Sequence, residues 1–289
     1  MGTDVRSHTR TEPCPSLYGQ AGPLQNGQSV RRGVAHIAVN AQLWAEAFGQ
    51  DAERYDRARP GYPSELIDEL FVEHPGRVLD VGCGTGQAGR MFVSRGCAVV
   101  GVEPDPRMAA VAERHGLRVE IARFEDWQPV AGEFDLLVSG QAWHWIDPEV
   151  SFAKGAAAIR PRGRFAAFWN EYEYDEEVRR LFGRVYREIA PDLLIFSVFL
   201  GAGRIDYPTH ATRIMNSGLF EQVSFQEYRW TRRYTRSEWL DELPTHSDHF
   251  RLGRERLSVL VGSLGPAIDD LGGDISVQYR TTLMSARTP

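Results

Sequence analysis

Between residues 77 and 170 the apolar positions follow two alternating rhythms. Short, nearly continuous apolar runs predict buried strands: RVLDV (77–81), CAVVGVE (97–103), LRVEIA (117–122), FDLLVS (134–139) and GRFAAFWN (163–170). Helical patterns stand between them, including DPRMAAVAERHG (105–116) and PEVSFAKGAAAI (148–159). The first of these two is well punctuated. Asp105 is a natural N-cap, Pro106 suits the first helical position and Gly116 suits the stop. Strand–helix alternation at this spacing predicts an α/β, Rossmann-like, doubly wound sheet that is mostly parallel, with helices on both faces.

After Asn170 the rhythm breaks. Residues 171–222 read as mostly helical, VSFQEYRW (223–230) as a strand, and 251–271 as a helix. TRSEWLDEL (235–243) opens with a capping box, Thr235 with Glu238. DISVQYRTTLMSAR (274–287) alternates as a last strand. Pairing 223–230 antiparallel to 274–287 completes a seven-stranded sheet, with 171–222 and 231–273 contributing helical segments of a substrate lid. Residues 1–33 read as a disordered tail and 34–289 as the folded domain. Residues 41–63 are amphipathic and end in a Pro-Gly-Tyr-Pro turn, after which Ser64 is expected to cap a helix running to about Glu73.

Composition narrows the function classes. The chain has 289 residues, 42% hydrophobic and 25% charged, with a net charge of −6. That balance predicts no nucleic-acid partner. The basic cluster RWTRRYTR (229–236) reads as a solvated strand edge. No apolar run reaches the length of a membrane span, and the first residues lack the apolar core of a signal peptide. The 3 cysteines form neither a disulfide framework nor a zinc spacing, which fits a reducing, cytoplasmic setting.

The stretch VLDVGCGTGQAGRMF (78–92) carries the most chemistry. Gly82, Gly84 and Gly86 follow a strand and precede a helix, where they permit positive φ and close approach of a ligand. Glu103 ends the next strand, a place from which a carboxylate accepts ribose hydroxyls. A dinucleotide site usually reads G-x-G-x-x-G; here the spacing is G-x-G-x-G, with Asp80 two residues ahead of it. An acid at that entrance suits a cationic ligand group better than a pyrophosphate.

This motif resembles the first motif of the class I S-adenosylmethionine-dependent methyltransferases, and the resemblance extends over roughly residues 48–170. It implies S-adenosylmethionine as cofactor and S-adenosylhomocysteine as product. Asp80, Gly82, Cys83, Gly84 and Gly86 would form the turn, with Glu103 and Pro104 at the ribose. ARFEDW (122–127) resembles the adenine-contact segment, with Phe124 over the ring and Glu125 or Asp126 as the acid; Arg123 departs from the common pattern. AERYDRARPGYP (52–63) and AWHWID (142–147) resemble the trans-aconitate methyltransferase-like branch, which implies Tyr55 and Arg59 at the methionine end of the cofactor. Gln141 would border the same site.

The resemblance implies transfer to a small-molecule acceptor, a carboxylate or a hydroxyl, in secondary metabolism. His144 follows the fourth strand, where the methyl group would sit, and three roles stay open for it: general base, orienting donor, or packing. Trp143, Trp145, Trp169 and Tyr172 are the expected acceptor-site residues, with Asn170 at the border. In THSDH (245–249), His246 and His249 lack a third ligand for a metal, while Thr245 and Ser247 could face substrate from the lid. Two rival functions remain: an NAD(P)-dependent oxidoreductase, and a protein that binds S-adenosylmethionine without transferring its methyl group.

Overall fold

The computed structural model describes residues 49–193, 195 and 207–289. The expected tail (1–33) and the start of the amphipathic stretch (41–48) lie outside them. Seven strands form one sheet: β1 (Arg77–Val81), β2 (Ala98–Glu103), β3 (Arg118–Ile121), β4 (Phe134–Gly140), β5 (Ile159–Glu173), β6 (Glu221–Thr235) and β7 (Asp274–Arg287). Their order is β3-β2-β1-β4-β5-β7-β6. The pairs from β3 to β5 are parallel, and β7 runs antiparallel to both β5 and β6. This is the expected Rossmann-like sheet. β6 is the edge strand, and Arg229 and Arg233 of the basic cluster are solvated there, their side chains 67% and 73% exposed.

The helices are α1 (Ala52–Ala58), α2 (Ser64–Phe71), α3 (Gly89–Val93), α4 (Pro106–Arg114), α5 (Pro148–Ala158), α6 (Glu176–Ile189), α7 (Tyr207–Asn216), α8 (Arg236–Glu242), α9 (Ser247–Phe250) and α10 (Gly253–Asp269). Asp105 caps α4 by accepting from the Arg107 amide, and the Thr235–Glu238 capping box opens α8. Ser64 does not cap α2. It is the first helical residue, and Pro63 at the cap position has no side-chain acceptor to offer. The helix after the glycine turn is short. It starts at Gly89, where the amide donates to the Asp80 carboxylate at 2.9 Å.

Strand periodicity divides the sheet into two faces. Val78, Leu136, Val138, Ala166 and Phe168 pack under α2 and α3 in one core. Leu79, Val81, Leu137, Phe165, Ala167 and Trp169 pack into the other. A third core, built on Phe182, Tyr186, Trp239 and Leu264, lies among α6, α8 and α10. On β5 the even-numbered residues share the face of Val78, and the odd-numbered ones share the face of Leu79. That parity decides which aromatic residues can reach the site.

Candidate functional site

A cavity with about 500 Å³ of empty space, partly open to solvent, lies at the carboxyl ends of β1, β4 and β5. Its floor is Asp80, Gly82, Cys83, Gly84 and Thr85. Gly140, Gln141, Asn170 and Tyr172 form one wall, and Tyr55, Arg59 and Tyr62 another. Asp80, Gly140, Asn170 and Tyr172 fall on the same parity as Val78, Val138 and Phe168, so the sheet itself aims them to one side.

The glycine turn is shaped by steric need. Gly82, Gly84 and Gly86 have φ of 65°, 55° and 83°. A Cβ on Gly82 would sit 2.5 Å from the Ala142 Cβ, so that glycine lets the β4 loop close over the turn. A Cβ on Gly86 would press on α4 at 3.3 Å from the Ala112 Cα; Gly86 serves packing and does not line the cavity. Around Gly84 the space is open, with the Met108 Cε the nearest atom at 3.5 Å. Gln141 carries a positive φ of 59° without being glycine, a strained conformation common at ligand sites. Its amide donates to the Phe168 carbonyl and its side chain to the Asn170 carbonyl, which hold it there.

Two buried carboxyls define the electrostatics. Asp80 is 1% exposed; one oxygen accepts from Gly89 and the other, Oδ1, has no partner. Burial pushes its pKa up to about 7, and the neighbouring Glu103 adds to the rise. Glu103 is also raised to about 7 by burial, against the amides of Asp105 and Gly84 that donate to its two oxygens at 3.0 and 2.9 Å. Glu103 therefore sits beneath Gly84, just behind the cavity surface, and Pro104 beyond it is exposed. An orphaned buried carboxyl oxygen costs about 1–3 kcal/mol when nothing meets it. Such an atom fits the ammonium group of an S-adenosylmethionine-type ligand, as does the unpartnered, fully buried Thr85 hydroxyl beside it.

Asp56 in α1 fixes the second wall. It accepts from Arg90 at 3.0 Å and lies 2.8 Å from His115, while Gln87 donates to its carbonyl at 2.8 Å. These contacts fasten α1 to the glycine turn and bring Tyr55 and Arg59, one helical turn apart, to the cavity. The Arg59 guanidinium lies over the Tyr55 ring at 5.3 Å. Its Nη1 then reaches Tyr172 Oη at 3.2 Å, His246 Nδ1 at 3.2 Å and Glu242 Oε1 at 3.4 Å. Glu242 and His246 come from α8 and the turn after it. They were not expected at the site, and no local pattern marks them.

Several expected residues go elsewhere. Trp143 is 2% exposed and packs against Phe124, Phe152 and Phe165; it belongs to the core. Trp169 is fully buried on the face opposite Asn170 and Tyr172, because the strand continues to Glu173 and parity separates them. Its indole donates to His144 Nδ1 at 3.0 Å. His144 and Trp145, whose rings lie 4.6 Å apart, are half-buried and do not line this cavity. An indole N–H only donates, so His144 carries its own proton on Nε2 and its Nδ1 lone pair is used. Burial, with His210 nearby, lowers its pKa to about 4. With Nδ1 taken by the indole, the His144 ring presents its Nε2–H as a donor.

Phe124 stacks on Trp127 in the core, 4% exposed. Glu125 accepts the Asp147 amide at 3.0 Å and pairs with Arg123 at 3.3 Å, which ties the segment after β3 to the start of α5. Neither lines the cavity. Thr245 is buried and its hydroxyl donates to the Glu242 carbonyl at 2.5 Å, so it faces inward. The side chain of Ser247 lies outside the described residues. Among the described residues no group of three metal-ligating side chains is present, and no helix is long and apolar enough to cross a membrane.

With this geometry in view, comparison with known proteins is informative. Residues 78–163 match the family described as a methyltransferase domain. Within those residues the chain is similar to a methyltransferase domain, and the sheet order is the Rossmann-like one. An uncharacterized methyltransferase of Mycobacterium tuberculosis is 38% identical over 127 residues, 43% of this chain and 52% of the relative. A trans-aconitate 2-methyltransferase of the same species is 35% identical over 97 residues, 33% of this chain and 36% of the relative. The chain thus matches about half or less of the length of these relatives. A solved structure of a candidate type II methyltransferase from Anaeromyxobacter dehalogenans aligns with a TM-score of 0.57 at 24% identity, covering 79% of this chain and 97% of that one. That likeness is one of fold.

Proposed function

We propose that this protein transfers the methyl group of S-adenosylmethionine to a small-molecule acceptor, with oxygen as the favoured acceptor atom. The observation that carries the reading is the orphaned Oδ1 of Asp80 in the floor of the cavity, beside the open glycine turn. Asp80 and Thr85 would hold the ammonium end of the methionine moiety, and Arg59, with Tyr55 behind it, its carboxylate. Gly84 leaves room for the nucleoside, and Glu103 turns from the Gly84 amide toward the ribose hydroxyls. The cofactor supplies an activated methyl on sulfonium; the chain supplies alignment and exclusion of water. Helical segments within 171–222 and 231–273 act as the lid that selects the acceptor.

Asp80 also weighs against the NAD(P) rival, since a buried carboxyl at the turn's entrance repels a pyrophosphate. Ultraviolet crosslinking with methyl-labelled S-adenosylmethionine tests the placement. Label on peptides containing 82–85 or 170–172, competed by S-adenosylhomocysteine and not by NADH, is expected. Label competed by NADH, or confined to other peptides, would overturn the reading.

A further inference from the structure

α8 and the turn after it set a buried acid–histidine pair behind Arg59 and Tyr172 of the cavity wall. Glu242 is 0% exposed and its Oε2 lies 2.9 Å from His246 Nε2. A carboxylate oxygen accepts, so Nε2 holds the proton. The other nitrogen, Nδ1, faces two groups at 3.2 Å: Arg59 Nη1, which only donates, and the Tyr172 hydroxyl. Arg59 Nη1 also donates to the Tyr172 oxygen at 3.2 Å, which leaves the Tyr172 hydroxyl proton to be donated to the Nδ1 lone pair. Tyr172 lines the cavity directly, as do Asn170 and Asp80. An acid that fixes a histidine tautomer, and a histidine that holds a hydroxyl, is the arrangement of a proton-accepting chain.

Every element packed on His246 contributes to this. Arg59 comes from α1, Tyr172 from β5, Glu242 from α8, and His249 from α9 with its ring 5.6 Å away. His249 is itself bonded to Tyr186, 2.7 Å away. Burial opposes ionisation of Glu242, but His246 and Arg59 outweigh it and hold its carboxyl below the usual carboxylate range. The charge of Arg59 is thus already offset by Glu242. Among the described lining residues Arg59 and Asp80 are the charged ones, and Arg59 is the one cation. Among the described lining residues no second cation stands ready to hold an anionic acceptor alongside the cofactor's own carboxylate.

Building on the methyltransferase reading, we propose that Tyr172 is the catalytic residue that takes the acceptor's proton, that His246 and Glu242 are positioning residues acting through it, and that the acceptor is an uncharged hydroxyl compound rather than a carboxylate. In the step, the acceptor oxygen forms its bond to the methyl carbon as the methyl–sulfur bond breaks and its electron pair stays on sulfur. The acceptor's proton passes to the Tyr172 oxygen while the Tyr172 proton passes to His246 Nδ1. His246 leaves the step as an imidazolium against the Glu242 carboxylate, and charge balances with the sulfonium that was consumed.

The test is long-range proton–nitrogen NMR on the full chain labelled with ¹⁵N-histidine, using His246→Asn to assign the ring. At neutral pH the His246 Nε2 should carry the proton and Nδ1 should show a hydrogen-bonded lone pair. Tyr172→Phe should shift the Nδ1 resonance and leave that of His144 in place. Glu242→Gln should abolish the single tautomer. A proton on Nδ1, or an Nδ1 resonance indifferent to Tyr172→Phe, would overturn the proposal. Binding of S-adenosylhomocysteine to the same unsubstituted sample, by calorimetry, reports separately on the cofactor reading. Normal binding with the wrong tautomer sinks the relay alone, and the right tautomer without binding sinks the cofactor reading it rests on.

Discussion

The floor of the cavity and its lid wall treat buried acids in opposite ways. Asp80 in the floor has one oxygen without a partner and a pKa raised to about 7. Glu242 in the lid wall has both oxygens paired and a pKa held low. The floor stores an unmet need that a cationic ligand would satisfy. The lid wall spends its acid on fixing the orientation of other side chains. Burial is nearly the same for the two residues; what differs is whether the chain itself supplies the partner.

The same acid-to-amide change should therefore have opposite effects on the free protein. Glu242→Gln breaks a buried pair and strands Arg59 and His246, and a loss of about 3–5 kcal/mol is expected by chemical denaturation. Asp80→Asn removes an unmet carboxyl, so the free protein should gain stability or hold it, while S-adenosylhomocysteine affinity falls by about 10–100-fold. Equal destabilisation by both changes would break the comparison. Gly84→Val separates ligand space from fold. The nearest atom to a new Cβ is 3.5 Å away, yet a β-branched residue at this positive φ is strained by about 1–3 kcal/mol and fills the approach to the turn. Cofactor binding should drop by about 100-fold or more with a folded protein remaining by circular dichroism.

A pH series sharpens the contrast. In the folded free protein Asp80 and Glu103 titrate near 7, above their ordinary values of 3.8 and 4.5. Groups raised by folding favour the native state below the unfolded pKa, and that contribution is lost as pH rises toward 7. The melting temperature of the free protein should fall between about pH 4.5 and 7 from this source. Affinity for S-adenosylhomocysteine should rise over pH 6 to 8 as both acids ionise. The smallest effect is expected at the rim. Arg57→Ala removes an exposed pair with Asp241 at 2.8 Å, and the melting temperature should not move measurably.

Much of the floor was legible in the sequence because its determinants are local. A glycine spacing, an acid two residues ahead and an acid ending the next strand all lie within 78–103. Asp105 and the Thr235–Glu238 box marked their helix starts for the same reason. The lid wall was not legible. Arg59 meets His246 across 187 positions of sequence, and only the third dimension joins them. The aromatic residues failed for another reason. Ending the fifth strand at Asn170 hid the parity that a strand running to Glu173 imposes, so Trp169 and Tyr172 seemed to share one side. The tautomer of His144 depends on an indole 25 residues away and could not be read locally.

Titration calorimetry of the purified protein with S-adenosylhomocysteine, S-adenosylmethionine and NADH, run beside Asp80→Asn, tests the central claim most directly. The account predicts binding of both sulfur nucleosides, none of NADH, and a clear loss of affinity on removing the Asp80 charge. Binding of NADH alone, or S-adenosylhomocysteine affinity indifferent to Asp80→Asn, would contradict it.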